Sequence, residues 1–217
     1  YRYENQPNIG LWNLLQLANA LYPLIEEAAP LEAVLEMYKT SFEQRALEMH
    51  ASKLGLEKSG AADRELFDKL EETLQLTETD MTLFFRKLSS LSKTNNPKEA
   101  MLLIHDAFYK PKELTKSVVQ KWEAWFSSYL QRLKKETNTD SERKEIMNAV
   151  NPKYVLRNYM AQLAIEAAEK GDYSLIDELF VLLKNPYDEQ PNAERWFAKR
   201  PEWARHKVGC SMLSCSS

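Results

Sequence analysis

Hydrophobic positions along the chain recur at helical spacing, not at strand spacing. In NIGLWNLLQLANAL, from about Asn8 to Leu21, they cover most of the circumference. This predicts a helix apolar on nearly all sides and therefore buried on nearly all sides. Such burial is odd for the first helix of a free-standing domain. It fits a central helix whose N-terminal neighbours lie outside this chain. Pro23 is expected to end or kink it.

A second helix is predicted from Pro30, a good first-turn residue, to Leu54, with Gly55 as its stop. Its stripe is Leu31, Val34, Leu35, Tyr38, Phe42 and Met49. A third covers about Ala62 to Leu76, with Leu66, Phe67, Leu70 and Leu74 on one face. In TETDMTLFFRKL, Thr79 is the expected N-cap, and Leu83, Phe84 and Leu88 form a short face. Asn96-Pro97 starts a fifth helix reaching about Phe108. A long sixth spans about Glu113 to Glu136, carrying Val118, Trp122, Trp125, Phe126, Tyr129 and Leu133. A short helix ends near Val150. YVLRNYMAQLAIEAAEKG reads as a strong helix stopped by Gly171, and Ser174 to Lys184 as another. Beyond it, Pro191, Pro201 and scattered aromatics predict irregular structure packed on the body.

With five glycines in 217 residues, sparse Val and Ile, and no period-2 run, the fold class is all-α. No repeat and no clean linker is visible. The chain reads as a single helical region: a buried helix segment over 1–29, a helical bundle over 30–187 and an irregular tail over 188–217. It opens YRYENQP, with no methionine and no signal-like segment, which reads as a processed start or a fragment of a longer protein.

A formal charge of -3 gives no general attraction to nucleic acid or to an anionic membrane. No apolar run approaches the roughly 20 residues of a bilayer span. Cys210 and Cys215, both near the C-terminus, cannot make a disulfide framework, so a reducing compartment is expected.

Candidate chemistry is thin. Glycines stand only at 10, 55, 60, 171 and 209, which excludes GxGxxG and P-loop motifs. His50, His105 and His206 are far apart, and neither helical histidine has a Glu three residues before it, so no metal site is expected. Trp122, Trp125, Phe126 and Tyr129 could be a stacking surface, but their i, i+3, i+4, i+7 spacing favours core. Lys134-Lys135 and Arg143-Lys144 stand beside glutamates and read as solvated faces. Asp80 and Arg86 are six residues apart, the wrong spacing to pair along one helix, and need partners elsewhere. Arg157 and Asn158, polar on an apolar helix, either fix packing or face a site, with packing favoured. A thiol is chemically useful when exposed and partly ionised. Tail position favours exposure of Cys215, no neighbour clearly lowers its pKa, and a local Cys210–Cys215 disulfide is within reach.

YRYENQPNIGLWNLLQLANAL, DMTLFFRKL, NPKYVLRNYMAQLAIEAAEKGDY, NPYDEQP, RPEWA and the terminal LSCSS together resemble, in that order, the C-terminal half of the SelO (YdiU) family. The match runs from end to end, dense over the first ~25 and last ~70 residues and loose between about residues 27 and 140.

The resemblance implies the lower part of a protein-kinase-like lobe with a helical extension, and transfer of AMP from ATP to Ser, Thr or Tyr hydroxyls of proteins. The family's nucleotide loop, phosphate ligands, catalytic Asp and metal ligands have no counterpart here. No catalytic, cofactor-binding or metal-binding residue therefore carries over. ATP and Mg or Mn are implied for a full-length member only, and this segment alone is expected to be inactive. The implied partners are a kinase-like region N-terminal to this segment and protein substrates, in bacterial cytoplasm. Cys215 matches the position where members carry cysteine or selenocysteine, which makes it a redox candidate; Cys210 is outside that pattern. The other reading is a freestanding helical interaction module with a redox-sensitive tail.

Overall fold

The computed structural model describes residues 5–210. Nine α-helices are present among them, with short 3-10 turns between and after them and no strand beyond an isolated antiparallel bridge of Thr79 with Phe108. The all-α expectation holds. None of the described helices is long and apolar enough to cross a membrane. The chain divides into two compact units: residues 1–51 with 58–60, and residues 52–57 with 61–217.

The first unit contains α1 (Gln6–Ile25) and most of α2 (Ala29–Lys53). Pro23 does not end α1; the helix carries it inside and runs two residues further, to Ile25, with Glu26 as its cap in the left-handed region, whose N–H donates to Tyr22 O at 2.7 Å. α2 folds back so that the Tyr38 hydroxyl donates to Pro7 O at 3.1 Å. Gly10 makes room for it: a Cβ there would sit 2.6 Å from the Tyr38 oxygen. The half-buried residues include Gly10, Leu11, Leu14 and Ala18 on α1 and Leu31, Leu35 and Tyr38 on α2.

Within this chain α1 is not the buried helix its composition predicts, for it has no buried residue. Trp12 is 57% exposed and Leu24 81%, and Ile9, Leu17 and Tyr22 are exposed with them. Three members of the α2 stripe, Val34, Phe42 and Met49, are exposed as well. Two helices alone offer one seam, and a coat that is apolar all round needs more neighbours than that.

In the second unit, α3 (Arg64–Leu74), α4 (Met81–Leu88), α5 (Pro97–Ile104) and α6 (Lys116–Leu133) enclose an aromatic core. α6 supplies it at helical spacing: Trp122, Trp125, Phe126 and Tyr129 are all at most 2% exposed. The stacking-surface reading of these four is thereby excluded. Trp125 and Tyr129 stack at 5.1 Å, and Phe84 from α4 packs 5.5 Å from Trp122. Two polar edges of this core are satisfied across elements, while the buried Trp122 Nε1 has no hydrogen-bond partner among the described residues: Trp125 Nε1 donates to Leu66 O at 3.0 Å, and the Tyr129 hydroxyl to Leu54 O at 2.6 Å.

Capping sets the helix starts. Thr115 Oγ1 accepts from Val118 N at 3.3 Å, so α6 begins there and not at Glu113. Asn96 with Glu99, and Thr139 with Glu142, form capping boxes for α5 and α7 (Asp140–Val150). At α4 the cap is Asp80, not Thr79: Asp80 Oδ1 accepts from Leu83 N at 3.0 Å, while the Thr79 hydroxyl turns to Thr77 O.

α8 (Asn158–Ala168) starts later than its sequence suggests. The preceding residues are drawn off the helical path because the N–H groups of Lys153 and Tyr154 both donate to Pro186 O, at 2.8 and 3.0 Å. α8 and α9 (Ser174–Lys184) share a second core of Tyr154, Tyr159, Met160, Ala164, Leu179 and Leu182. Trp196, Ala204 and Cys210 of the C-terminal segment complete it. That segment consists of short 3-10 turns over Pro191–Trp196 and Glu202–Arg205, packed on the body as expected.

Candidate functional site

Of the polar residues singled out in the sequence, Asp80, Arg157 and Arg86 fall in two clusters in the second unit, whereas Arg143 is not on a solvated face: it is fully buried and donates to Leu91 O. The first cluster is built on Asp80. Its N-cap position buries the carboxylate, which takes Arg157 at both oxygens, Nη1 to Oδ2 at 2.5 Å and Nη2 to Oδ1 at 2.9 Å. The Tyr109 hydroxyl donates to Oδ2 at 3.0 Å and accepts from the Arg200 N–H at 3.1 Å. Burial pushes the Tyr109 hydroxyl pKa up, keeping it a proton donor. Beside it, Glu78 accepts from Arg200 Nη2 at 2.9 Å and Arg205 Nη2 at 2.8 Å. Burial alone would raise the Glu78 pKa, but these arginines outweigh it and hold the carboxyl below its ordinary value.

The second cluster is built on Arg86, which is 6% exposed. It covers the C-terminal end of α7, donating to Asn148 O at 3.1 Å and Asn151 O at 3.0 Å, where helix carbonyls lack internal partners. Its other arm reaches Tyr187 O at 3.0 Å and Glu189 at 2.7 Å. Lys153 joins Glu189 at 2.5 Å and also meets Glu194. Lys153 first and Arg86 second hold the Glu189 carboxyl below the usual carboxylate range.

Asp80 and Arg86 thus find separate partners on other elements. Arg157 resolves as a packing residue. Asn158 is not a buried side chain; it is exposed at the first position of α8, and its Nδ2 donates to Cys210 O at 3.3 Å. Cys210 is not a surface thiol, being 4% exposed in the second core. Cys215 lies outside the described residues. His105 is exposed, and His50 is half-buried with Nδ1 2.8 Å from Ala46 O. Sequence reasoning missed Glu78, Tyr109 and Arg200; each is unremarkable in its local pattern, and the KR and RPEWA steps give no hint of their distant partners.

In chemical terms both clusters are closed. Their carboxylates are committed to arginine and lysine, and no nucleophile stands beside a free base. Among the described residues no group of three His, Cys, Asp or Glu side chains could hold a metal ion.

The sequence model described as "Protein adenylyltransferase SelO" matches residues 1–184. The chain belongs to that family. It is 57% identical, over its whole length, to a protein nucleotidyltransferase YdiU of Flavobacterium johnsoniae, of which it covers 42%. It is 49% identical to the one of Rhodopirellula baltica and 48% identical to the one of Aromatoleum aromaticum, again over all of this chain and 42% and 41% of theirs. The chain therefore spans about two fifths of the length of these relatives.

Proposed function

We propose that this chain is the C-terminal region of a SelO-type protein adenylyltransferase, which moves AMP from ATP onto Ser, Thr or Tyr hydroxyls of other proteins. The single observation carrying this is the end-to-end match to nucleotidyltransferases of which the chain covers 42%. Among the described residues, the two polar clusters do not fit ATP or a divalent metal. The sequence lacks a phosphate-binding glycine loop, and the acids of both clusters are bound to cations. Phosphate and metal must be held in place for such transfer, so the proposal assigns those parts to the portion of the relatives' length that this chain does not cover, and routes no step through the residues seen here.

The exposed apolar coat of α1 supports the same proposal. Ile9, Trp12, Leu17 and Leu24 suit a helix covered by the remaining, kinase-like part of such a protein. Cys215 is proposed as a redox-active thiol of the tail, free in this chain and paired elsewhere in a longer one. Thiol titration of the chain unfolded in urea without reductant tests it, since Cys210 is shielded in the folded state: two free thiols support the proposal, and a Cys210–Cys215 disulfide sinks it.

The functional test is incubation with labelled ATP, Mg²⁺ or Mn²⁺ and a general protein acceptor. The comparison is between the 217-residue chain and a protein of the relatives' full length containing this chain. Label transfer by the longer protein alone is expected.

A further inference from the structure

We propose that residues 199–210 form an ionic latch, which opens as a unit while the rest of the second unit stays folded and so uncovers the Cys210 thiol. The segment is held mainly by polar ties. Lys199 Nζ donates to Phe108 O at 2.6 Å. Arg200 and Arg205 share Glu78, and Lys207 pairs with Glu166 of α8. Lys199, Arg200 and Arg205 surround the Tyr109 ring at 6.0, 5.4 and 5.9 Å. Four cations of one short segment thus close on carboxylates, a carbonyl and a ring face of the body, with Glu202 as the segment's own acid, bound to Arg205.

Its apolar anchoring is slight by comparison. The buried apolar residues of the segment are Ala204 and Cys210, both small, while Trp203, edge-on to Tyr159 at 6.2 Å, stays 46% exposed and Val208 79%. The preceding turn is different, because Trp196 is inserted in the second core and its Nε1 donates to Glu178 at 2.7 Å. A segment with few buried apolar groups and exposed hydrogen bonds opens at a lower free energy than the core around it. The ion pairs holding the latch are 21–37% exposed at each side chain, so salt screens them.

The end of the latch makes the opening observable. Gly209, at φ 87°, brings its backbone against Gln162 of α8, where a Cβ would collide with the side-chain amide. The next residue is Cys210, shielded there. Opening moves the thiol from the second core to solvent.

The test labels Cys210 with N-ethylmaleimide, a neutral reagent, in the 217-residue chain carrying Cys215→Ser, which leaves a single thiol. Raising salt to about 0.5 M shortens the screening length several-fold and should speed labelling. Glu78→Gln, which removes the carboxylate shared by two arginines, should speed it about fivefold at low salt. Gly209→Ala should do the same without a change of charge. Glu65→Gln, which breaks an exposed pair on α3, should leave the rate unchanged. In every variant the thermal transition of the helices should stay where it was. Labelling that needs global unfolding, with the same urea dependence as the helical signal, would overturn the latch. A fall in global stability that accounts for the faster labelling of Glu78→Gln and Gly209→Ala would overturn it as well.

Discussion

The carboxylate of Asp80 and the guanidinium of Arg157 meet in a two-point pair, although 77 residues separate them along the chain. The same carboxylate starts α4 by accepting from Leu83 N. One buried acid therefore fixes a helix terminus, receives the residue that precedes α8, and orients Tyr109. Removing it leaves Arg157 without its carboxylate in a largely buried place. Asp80→Ala should cost ~3 kcal/mol or more, by analogy with other broken buried pairs. Urea denaturation followed by circular dichroism measures it. Combining Asp80→Ala with Arg157→Met should cost clearly less than the sum of the two single changes.

Trp122 lies at the centre of the aromatic core, fully buried against Phe84, Phe108 and Phe126. Trp122→Ala should destabilise the second unit by about 4 kcal/mol, the usual range for deleting a large buried aromatic. The same measurement, read with near-UV dichroism, reports loss of the fixed aromatic environment.

Much of this core is legible in the sequence because it is local. Trp122, Trp125, Phe126 and Tyr129 sit on one helix, so helical periodicity alone places them on one face. Asp80, Arg86 and Arg157 are not legible in that way. Arg157 stands 77 residues from Asp80, the partners of Arg86 are 62 to 103 residues distant, and no periodicity encodes that. The start of α8 is missed for a related reason, since Pro186 draws the backbone of Lys153 and Tyr154 away from the helix. α1 fails differently: its composition specifies burial, but within this chain it has one seam. For the candidate site, resemblance alone points to Cys215, and the polar clusters that organise the C-terminal segment emerge only from tertiary structure.

Gly55 ends α2 with φ 68°, and a Cβ there would lie 2.5 Å from Arg143 Cγ and 2.8 Å from Met147 Cγ. Gly55→Ala combines a left-handed backbone with a close approach to α7. A loss of ~2 kcal/mol is expected. Restoring room with Met147→Ala should not return the full stability, because the backbone strain persists.

Glu189 titrates below an ordinary carboxylate in the folded chain, held down by Lys153 with Arg86. Groups with depressed folded pKa values contribute stability that is complete above the unfolded value of about 4.3 and is lost as pH falls through the folded one. The urea midpoint should thus be insensitive to this group between neutral pH and about pH 5 and decline below about pH 4. Glu189→Gln should lower the neutral-pH midpoint and flatten the acid decline.

The exposed apolar faces of α1 and α2, with Trp12, Leu24, Met37 and Met49 uncovered, should drive association of the 217-residue chain in isolation. Light scattering should show concentration-dependent oligomers, reduced by Trp12→Ser with Leu24→Ser. A monodisperse monomer would contradict this.

We propose that the transfer chemistry lies in the part of the relatives' length that this chain does not cover. Transfer of label from ATP to a protein acceptor in the presence of Mg²⁺ or Mn²⁺ tests it most directly. AMP transfer is expected from a protein of the relatives' full length that contains this chain, and none from the 217 residues alone. Transfer by the 217 residues alone, or its absence from both, would contradict it.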